Sequence, residues 1–425
     1  MEGQPKDIRP GDTHCRACAA PLDQTLVDLG TSPPCESFLT AEQASGPETH
    51  YPLHVKVCGS CLLVQIPECL PATEIFSDYA YFSSFSTSWL EHARRYCTEV
   101  VSRFGLGPES LVVELASNDG YLLRNFVEAG IPCLGVEPSW TVAEAARKVG
   151  VETVERFFGL ATAKDLLEER GPADLILGNN VLAHVPDIVD FVAGAAALLA
   201  PEGVLTYEFP HLERLIAECQ YDTIYHEHFC YLSLHAVQRI LGDAGLEVFD
   251  VQRLKSHGGS LRVFAHRPGA SHAREDSVEA VLRGEEAAGL DRPEGSGYAG
   301  FQARVEASKR SVVRGLAEWR ERSSRPIVAY GAPGKGNTLL NYCGIRTDLI
   351  DLAVDRNSYK HGRFTPGTRI PIQPPEALEA AQPECIVILP WNLQAEITAQ
   401  LQHAQEWGAR FFVPIPEWTE VHPPA

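Results

Sequence analysis

The sequence predicts an α/β protein of more than one domain, and three observations support this prediction. The chain has 425 residues, which is long for a single hydrophobic core, so two or three domains are expected. Residues 111–138 and residues 326–355 each have the pattern of a strand, a turn, a helix and a second strand. Two closely spaced cysteine pairs precede both stretches. We therefore expect a small N-terminal metal-binding domain followed by two domains built on β-α-β units.

Composition narrows the class of protein. Apolar residues make up 44% of the chain and charged residues 22%, as in an ordinary globular protein. A net charge of -20 repels a polyphosphate backbone, so nucleic acid is excluded as an expected partner. The first residues, MEGQPKDIRPGDTH, contain no apolar signal core, and no run has the length of a membrane span. We expect a cytoplasmic, monomeric protein with no membrane partner.

The cysteine pairs have the spacing of zinc knuckles. Cys15 and Cys18 form one CxxC pair, and Cys58 and Cys61 form the other. This spacing lets two thiolates occupy adjacent corners of a tetrahedron around zinc, and four of them leave no open position, so the predicted zinc is structural. A redox CxxC motif is the alternative. Two further cysteines lie nearby and could replace a ligand, namely Cys35 and Cys69.

The first β-α-β unit predicts a nucleotide-like cofactor. LVVEL reads as a buried strand, ASNDG as a turn, YLLRNFVEAG as a helix, and CLGVEP as a strand that places Glu137 at its end. An acidic residue there can bind both hydroxyls of a ribose. Because the turn lacks GxGxxG, we predict an adenosyl ligand without phosphates, S-adenosylmethionine, rather than another adenosine compound. The predicted cofactor-binding residues are Glu114, Ala116, Ser117, Asn118, Gly120, Glu137, Pro138, Asn179 and Asn180.

The segment YDTIYHEHFCY, residues 221–231, contains the clearest set of chemical groups. It combines histidines, carboxylates and phenols, which is how general acid/base sites are commonly assembled. If residues 225–229 are extended, Tyr225 and Glu227 point to one face while His226 and His228 point to the other. A solvated edge strand or loop is the alternative. Residues 78–88, DYAYFSSFSTS, are interpreted either as a linker or as a segment whose tyrosines close over a polar ligand.

The remaining third of the chain begins after a charged, glycine-rich stretch at residues 268–300, where we expect a domain boundary. Before it, His257 and Arg262 either face a ligand or cap the sheet. After it, PIVAYG, APGKG, NTLLNYCG and LIDLAVD form the second unit, with Asp355 about twenty residues past its first glycine. The spacing does not fit a Walker A loop, although a helix start beside Lys335 suits an anion.

Taken together, these motifs resemble a known family. CRAC, CGSC, DYAYFSS, ELASNDGYLL, NNVLAHVPD, YDTIYHEHFCYLS, HGGSLRVFA, YGAPGKGNTLLNYCG and ILPWNL are similar to blocks of the S-adenosylmethionine-dependent C-methyltransferases that act on TDP-linked 4-keto-deoxysugars in antibiotic sugar biosynthesis. The resemblance runs from the first knuckle to the C-terminus. One departure is Cys35, where relatives tend to have a small or polar residue. That departure leaves the choice of zinc ligands open.

The resemblance implies three domains and a site. The domains are a zinc-binding domain at residues 1–72, a Rossmann-like methyltransferase domain at 73–270 and a C-terminal Rossmann-like domain at 271–425 that helps hold the nucleotide sugar. The implied catalytic residues are Tyr79, His184, Tyr225, Glu227 and His228. The predicted substrate-binding residues are Tyr81, His257, Arg262, Gly331, Lys335, Asn337 and Asp355. Methylation is expected at carbon 3 of the sugar, and close relatives methylate carbon 5.

The expected chemistry also follows without the family. A carbon beside a ketone becomes nucleophilic only after it loses a proton, so a base and donors for the enolate oxygen are needed. His228 suits the base, with His184 as its rival. Three other functions remain open: an O- or N-methyltransferase, an inactive nucleotide-sugar-binding protein that bears zinc, and a hydrolytic metal site at residues 226–228.

Overall fold

Strands and helices alternate along the chain in the computed structural model, which describes residues 11–76 and 82–424. The strands, in chain order, are β1 (Gln24–Ser32), β2 (Tyr51–Val57), β3 (Val64–Gln65), β4 (Val112–Leu115), β5 (Cys133–Val136), β6 (Thr153–Val154), β7 (Ala173–Asn179), β8 (Leu199–Pro210), β9 (Cys230–Tyr231), β10 (Glu247–Leu254), β11 (Ser260–His266), β12 (Ile327–Tyr330), β13 (Leu352–Val354), β14 (Ile372–Gln373), β15 (Cys385–Ile388), β16 (Arg410–Val413) and β17 (Thr419–Val421). The predicted α/β class is confirmed.

The helices take the positions that connect these strands. They are α1 (Ala72–Phe76), α2 (Thr87–Phe104), α3 (Arg124–Glu128), α4 (Trp140–Lys148), α5 (Leu160–Arg170), α6 (Ile188–Leu198), α7 (Leu212–Ala217), α8 (Leu234–Asp243), α9 (Asp276–Ala287), α10 (Phe301–Arg322), α11 (Gly334–Cys343), α12 (Ala377–Ala381) and α13 (Gln394–Gln400). Across residues 11–76 and 82–424, no helix combines the length and the apolar character needed to cross a membrane.

The chain divides into two compact units. The first is built from the described residues of Met1–Asp23 together with Val57–His211 and Phe229–Pro293. The second consists of Gln24–Lys56, Leu212–His228 and the described residues of Glu294–Ala425. Each unit is therefore assembled from segments that are far apart in sequence.

The main sheet of the first unit has the strand order β10-β11-β8-β7-β4-β5-β6. Strands β4 to β8 pair in parallel, and β11 is antiparallel to both β8 and β10. Val113 and Leu115 of β4 pack into the core on one side of this sheet, whereas Val112 packs on the other. Strand β4 is buried along its whole length, as expected for a strand covered on both faces.

The segment LLAPEGVLTYEFP differs from its prediction. We expect a helix, a Pro-Glu-Gly turn and then a strand, but β8 begins at Leu199 and runs through Pro201, Glu202 and Gly203 without a separate turn. Its pairing with β7 shifts register beside this stretch. The register shift accommodates Pro201, because proline has no N–H to donate to a neighbouring strand.

The second unit is organised around its own parallel sheet, ordered β14-β13-β12-β15-β16-β17. The strands from β14 to β16 pair in parallel, and β17 adds an antiparallel edge. Strands β12 and β15 are buried throughout. The turn after β12 and the start of α11 lie at the carboxyl ends of these strands, where open α/β sheets bind ligands.

Candidate functional site

The four cysteines of the two knuckles form one cluster in the first unit. The sulfur atoms of Cys15, Cys18, Cys58 and Cys61 all lie within 4.8 Å of one another, and two sulfur pairs are 3.5 Å apart. Four sulfurs at zinc–sulfur bond lengths of ~2.3 Å would be separated by a similar distance, so the cluster fits a tetrahedral zinc site. The Gln65 side chain donates to the Cys15 sulfur at 3.1 Å.

The alternative ligands are not part of this cluster. Within residues 11–76 and 82–424, the grouping contains only the four knuckle cysteines, so neither Cys35 nor Cys69 replaces one of them. Cys35 belongs to the second unit, whereas all four knuckle cysteines belong to the first. The four predicted ligands therefore lie close together, as binding of one shared zinc ion requires.

Glu137 lies directly after β5 and holds the turn that follows β4. Its carboxylate accepts the N–H groups of Asn118 and Ser139, each at 2.9 Å. Burial raises the pKa of Glu137, while these two hydrogen bonds favour its charged form. Each oxygen can still accept a second hydrogen bond, so the carboxylate is suited to the two hydroxyls of a ribose.

The turn between β4 and α3 has a backbone conformation that lets neighbouring groups approach it closely. Ala116, Asn118 and Gly120 all have positive φ angles of 51 to 76°. A side chain at Gly120 would meet Val151 and Ala146 at 3.0 and 3.2 Å, so glycine is required there. Ser117, within this turn, is fully buried, and Pro138 follows Glu137 in the chain.

Two acidic side chains beside this turn have unsatisfied oxygens. Glu114 Oε2 and Asp119 Oδ1 are buried and have no hydrogen-bond partner among the described residues. Burial, then repulsion by Asp119 and Glu137, raises the pKa of Glu114 well above its usual value. Buried acceptors of this kind fit a cofactor that brings its own donors, such as an amino group.

The same turn anchors the segment that precedes α2. The Ser83 N–H donates to Asn118 Oδ1 at 2.9 Å, and the Ser84 N–H donates to Asp119 Oδ2 at 3.1 Å. Asn118 therefore bonds Glu137 through its backbone and Ser83 through its side chain. Tyr79 and Tyr81, predicted for catalysis and substrate binding, lie outside the described residues.

At the carboxyl end of β7, Asn180 and His257 meet. Asn180 Nδ2 and His257 Nε2 are 2.9 Å apart, and the Asn180 N–H donates to the Glu208 carbonyl at 2.7 Å. Asn179 ends β7, and His184 ends a short 3-10 turn just beyond it. The Trp89 ring stacks on Tyr121 and contacts His257 edge-on. Aromatic side chains therefore pack beside His257.

Arg262 belongs to a buried network rather than to an open pocket. Its guanidinium donates a hydrogen bond to the Glu208 carboxylate at 2.6 Å. The same carboxylate accepts hydrogen bonds from His92 Nε2 and from the Ser256 hydroxyl, each at 2.8 Å. Burial alone would raise the pKa of Glu208, but the His92 hydrogen bond and attraction to Arg262 outweigh it and lower the pKa to about 2. Of the two interpretations left open for Arg262, its contacts favour the structural one.

Residues 221–228 of the histidine-rich segment form turns and not a strand, and only Cys230 and Tyr231 at its end belong to a strand, β9. A 3-10 turn covers Tyr221–Thr223, and the His228 N–H then donates to the Tyr225 carbonyl at 2.9 Å. The alternation of faces expected for an extended segment therefore does not apply. Its residues are buried to different degrees: His226 and Glu227 are buried, whereas Tyr225 and His228 are partly exposed.

His228 has a defined tautomer. Its Nδ1 lies 2.8 Å from the Thr223 carbonyl, which can only accept, so Nδ1 carries the proton in the neutral ring. Nε2 is then the nitrogen that can take up a proton. The Tyr225 ring packs against the imidazole with a centroid distance of 4.0 Å. This arrangement is suited to a general base.

His226 has the opposite environment. Its Nε2 donates to the Tyr51 carbonyl at 3.2 Å, and the ring is only 4% exposed. Burial lowers the pKa of His226 to about 4, against the opposing effect of backbone acceptors at Tyr51 and Pro52. The ring is therefore neutral at pH 7 and holds the segment in place.

Glu227 contacts Cys35, which lies far from it in the sequence. The Cys35 thiol lies 3.9 Å from Glu227 Oε1, and the Cys35 carbonyl accepts the Asn337 side chain at 2.6 Å. Asn337 and Glu227 are thus joined through Cys35 within the second unit. The sequence pointed to Cys35 only as a possible zinc ligand and as a departure from the family pattern, not as a neighbour of Glu227.

The glycine-rich turn after β12 is occupied largely by the protein itself. The Gly334 N–H at the start of α11 donates to the carboxylate of Glu36, and a side chain at Gly334 would lie 2.8 Å from that carboxylate. Gly331, with φ +81°, packs against Pro390. The sequence gives no sign that Glu36 contacts the predicted site at Gly334, because a single glutamate in a loop is part of no motif.

Lys335 and Asp355 also have partners within the second unit. Lys335 donates to Asn392 at 2.5 Å and lies 4.7 Å above the Trp391 ring. Burial lowers the pKa of Lys335, and attraction to Asp222 partly offsets this. The Asp355 carboxylate accepts the N–H groups of Ala332 at 2.7 Å and of Asn357 at 2.8 Å.

The predicted residues therefore form two groups. The first unit contains His184, His257, Arg262 and all predicted cofactor-binding residues, and the second contains Tyr225, Glu227, His228, Gly331, Lys335, Asn337 and Asp355. Within the second unit, the structure brings the histidine-rich segment together with the start of α11.

Comparison with protein families gives consecutive matches along the chain. A zinc binding domain matches residues 15–76, a methyltransferase domain matches residues 89–251, and a C-methyltransferase C-terminal domain matches residues 255–416. The three matches follow one another in the order that the motifs predict.

The chain is also similar to individual proteins. The chain is 36% identical to the C-methyltransferase NovU of Streptomyces niveus over 411 residues, which cover 96% of this chain and 97% of that protein. It is 24% identical to the ubiquinone biosynthesis O-methyltransferase of Rhodopseudomonas palustris (strain BisA53) over 151 residues, or 30% of this chain and 59% of that one. Among solved structures, the magnesium protoporphyrin IX methyltransferase ChlM of Synechocystis PCC 6803 aligns over 42% of this chain and 81% of its own, with 17% identity and a TM-score of 0.32.

Proposed function

Because the chain belongs to the family of S-adenosylmethionine-dependent C-methyltransferases, we propose that it methylates the carbon beside the ketone of a TDP-linked 4-keto-deoxysugar. Its cofactors are S-adenosylmethionine and a structural zinc. We propose carbon 3 of the sugar as the acceptor and antibiotic sugar biosynthesis as the pathway. The hydrogen bond from His228 Nδ1 to the Thr223 carbonyl is the observation that carries the proposal, since it prepares Nε2 to take a proton.

Proton removal is the step assigned to His228. A carbon acid beside a ketone needs a base, and in the neutral ring of His228 the unprotonated nitrogen is Nε2. The packed Tyr225 ring holds the imidazole plane, and the Tyr225 hydroxyl can donate to the enolate oxygen. Glu227 is assigned to orient the sugar, together with Tyr79 and Tyr81.

Binding of the cofactor is assigned to the first unit. Glu137 and the turn at residues 116–120 suit the ribose and the amino-acid end, as the unsatisfied acceptors of Glu114 and Asp119 indicate. When bound, S-adenosylmethionine supplies an electrophilic methyl group on a sulfonium. Asn179 ends β7, and Asn180 and His184 follow it, at the sheet edge where such ligands bind.

The C-terminal part of the chain is assigned to the nucleotide. Gly331, Asn337 and Asp355 lie at the carboxyl edge of the second sheet, and Lys335 is a nearby cation with ammonium donors beyond its bond to Asn392. Lys335→Ala is expected to raise KM for the sugar nucleotide by about ten-fold, the loss of roughly one charged hydrogen bond. Binding of NAD together with an unchanged KM would contradict this assignment.

Isotope exchange tests the base directly. The protein is incubated in deuterium oxide with S-adenosylhomocysteine and a panel of TDP-4-keto-deoxysugars, and deuterium at each sugar carbon is read by mass spectrometry and NMR. Wild type is expected to exchange the proton at carbon 3, and His228→Asn to lose exchange by about a hundred-fold or more. His184→Asn is the matched control because it replaces the rival histidine in the same way.

Each result has a defined meaning. If His184→Asn abolishes exchange and His228→Asn does not, the two histidines exchange roles. Exchange at carbon 5 would move the acceptor to that position. Methyl transfer to oxygen or nitrogen, without exchange at any carbon, would refute C-methylation of these sugars. The predicted domain boundaries, the monomeric state and the cytoplasmic location remain predictions.

A further inference from the structure

Asp222 is a buried carboxylate in the histidine-rich segment that the reaction scheme leaves unused. Its side chain is fully buried, and Oδ2 accepts the indole N–H of Trp391 at 2.6 Å. The two residues are 169 positions apart and both belong to the second unit. A buried carboxylate costs free energy unless it is hydrogen-bonded or compensated by charge, so its presence needs a reason.

The position of Asp222 supplies that reason. Asp222 is the central residue of the 3-10 turn Tyr221–Thr223, and the next residue provides the carbonyl that accepts His228 Nδ1 at 2.8 Å. Thr223 itself is held to Gln220, through its N–H at 3.1 Å and its hydroxyl at 2.7 Å. The carbonyl that sets the histidine tautomer therefore lies on a short turn that two hydrogen bonds from Thr223 to the Gln220 carbonyl close.

We propose that Asp222, through its hydrogen bond from Trp391, is a positioning residue that aims the Thr223 carbonyl at His228 and so keeps the proton on Nδ1. The inference rests on the proposed role of His228 as the base. It gives the C-terminal part of the chain a second task, because Trp391 follows β15 of the second sheet. Loop residues of that sheet orient the base, in addition to any contact with the nucleotide.

The surroundings of Asp222 support a fixed arrangement. Burial raises the pKa of Asp222 to about 6, while attraction by Lys335 and the Trp391 hydrogen bond oppose the rise. Lys335 stacks on the same Trp391 ring and bonds Asn392, so the cation and the indole are held together. The neighbouring Tyr221 is also buried, with its hydroxyl 3.6 Å from Cys343 of α11.

In this proposal Asp222 and Trp391 do not touch the substrate but orient the imidazole ring of His228. Losing the partner of an imidazole at metal sites commonly costs ten- to a hundred-fold in activity, and we expect a loss of about that size here. The loss should fall on kcat, because Asp222 and Trp391 do not act on substrate in this scheme. A displacement of the ring by about 1 Å is enough for such an effect.

Four variants of the full chain test the inference. Trp391→Phe removes the indole donor and keeps an aromatic ring, and Asp222→Ala removes the acceptor. Asp222→Asn keeps an amide oxygen that can accept from Trp391, so it is the conservative rescue. Trp407→Phe is the matched control, because Trp407 also donates its indole N–H to a carbonyl in the second unit, that of Pro383 at 3.2 Å.

The first readout needs no substrate. The chain is labelled with ¹⁵N-histidine, and the ring signals of His228 are assigned by their absence from His228→Asn. Wild type, Asp222→Asn and Trp407→Phe are expected to show a proton on Nδ1, whereas Trp391→Phe and Asp222→Ala should show a mixture of tautomers. In the second readout, kcat on the sugar nucleotide should fall about ten- to a hundred-fold in Trp391→Phe and Asp222→Ala. In both variants KM should stay within about three-fold of wild type.

The outcomes separate this inference from the proposed function. If His228→Asn is inactive while Trp391→Phe and Asp222→Ala keep the wild-type tautomer and kcat, the positioning role is overturned. A rise in KM alone would also overturn it, because that result indicates contact with substrate. If His228→Asn retains full exchange and methylation, the proposed base is wrong, whatever the tautomer shows.

Discussion

Replacing His226 by glutamine removes a titratable ring from the interior of the second unit while retaining a donor for the Tyr51 carbonyl. In the folded protein, burial lowers the pKa of His226 from 6.5 to about 4. The unfolded chain takes up its proton near pH 6.5. Between these two values the unfolded state binds more protons than the folded state, so the free energy of unfolding decreases as the pH falls.

The size of the effect follows from the shift. A difference of about 2.5 pKa units corresponds to ~3 kcal/mol at roughly 1.4 kcal/mol per unit. The contribution is fully present above pH 6.5, and about 2.5 kcal/mol of it should be lost by pH 4.5. This loss is large beside the 5–15 kcal/mol typical of a folded protein.

Urea unfolding at pH 7.5, 5.5 and 4.5 measures the effect, with wild type compared with His226→Gln. The difference in unfolding free energy between the two should move by about 2.5 kcal/mol in favour of the variant between the highest and lowest pH. His403→Gln is the control, since His403 is an exposed histidine of the same unit. Parallel pH profiles for wild type and His226→Gln would refute the reasoning.

Three further predictions concern the first unit. Freshly purified protein should contain one zinc per chain, and Cys58→Ser should lower that content measurably by atomic emission, since only three sulfur ligands remain. Glu137→Ala should weaken S-adenosylmethionine binding by about 2–3 kcal/mol in calorimetry, and equal affinity would exclude its ribose role. Arg262→Met should cost about 3–5 kcal/mol in unfolding free energy because it leaves Glu208 buried without its cation, whereas exposed Arg253→Met should change stability little.

Much of the fold could be predicted because its signals are local. The run LVVEL predicts a strand buried on both faces, and β4 is such a strand. Ser233 precedes an amphipathic run, and it caps α8 by accepting the Ala236 N–H at 3.2 Å. The zinc cluster was equally accessible, since its spacing is a property of two short segments. The position of Glu137 directly after a strand could also be predicted, because the end of a strand can be read from hydrophobic periodicity.

The features that sequence reasoning missed depend on contacts between distant segments. The Cys35 thiol meets Glu227 across 192 positions, and Trp391 meets Asp222 across 169 positions, with no motif that pairs them. The conformation of residues 225–228 also could not be predicted from the sequence. The extended alternative follows from alternation, but hydrogen bonds to Tyr51 and Thr223 override it and fold the segment into a turn.

The first zinc knuckle also has mechanical importance beyond its own small domain. Arg16, between Cys15 and Cys18, donates to the carbonyl of Pro186 at 2.8 Å and to that of Ile66 at 2.6 Å. Pro186 lies two residues after His184, on the loop that follows β7. Removing the metal would make the backbone around Arg16 less ordered and so weaken its hydrogen bond to Pro186. The loop that contains His184 would then become more mobile. A chelator would then impair the enzyme at a distance, although the zinc takes no part in the chemistry.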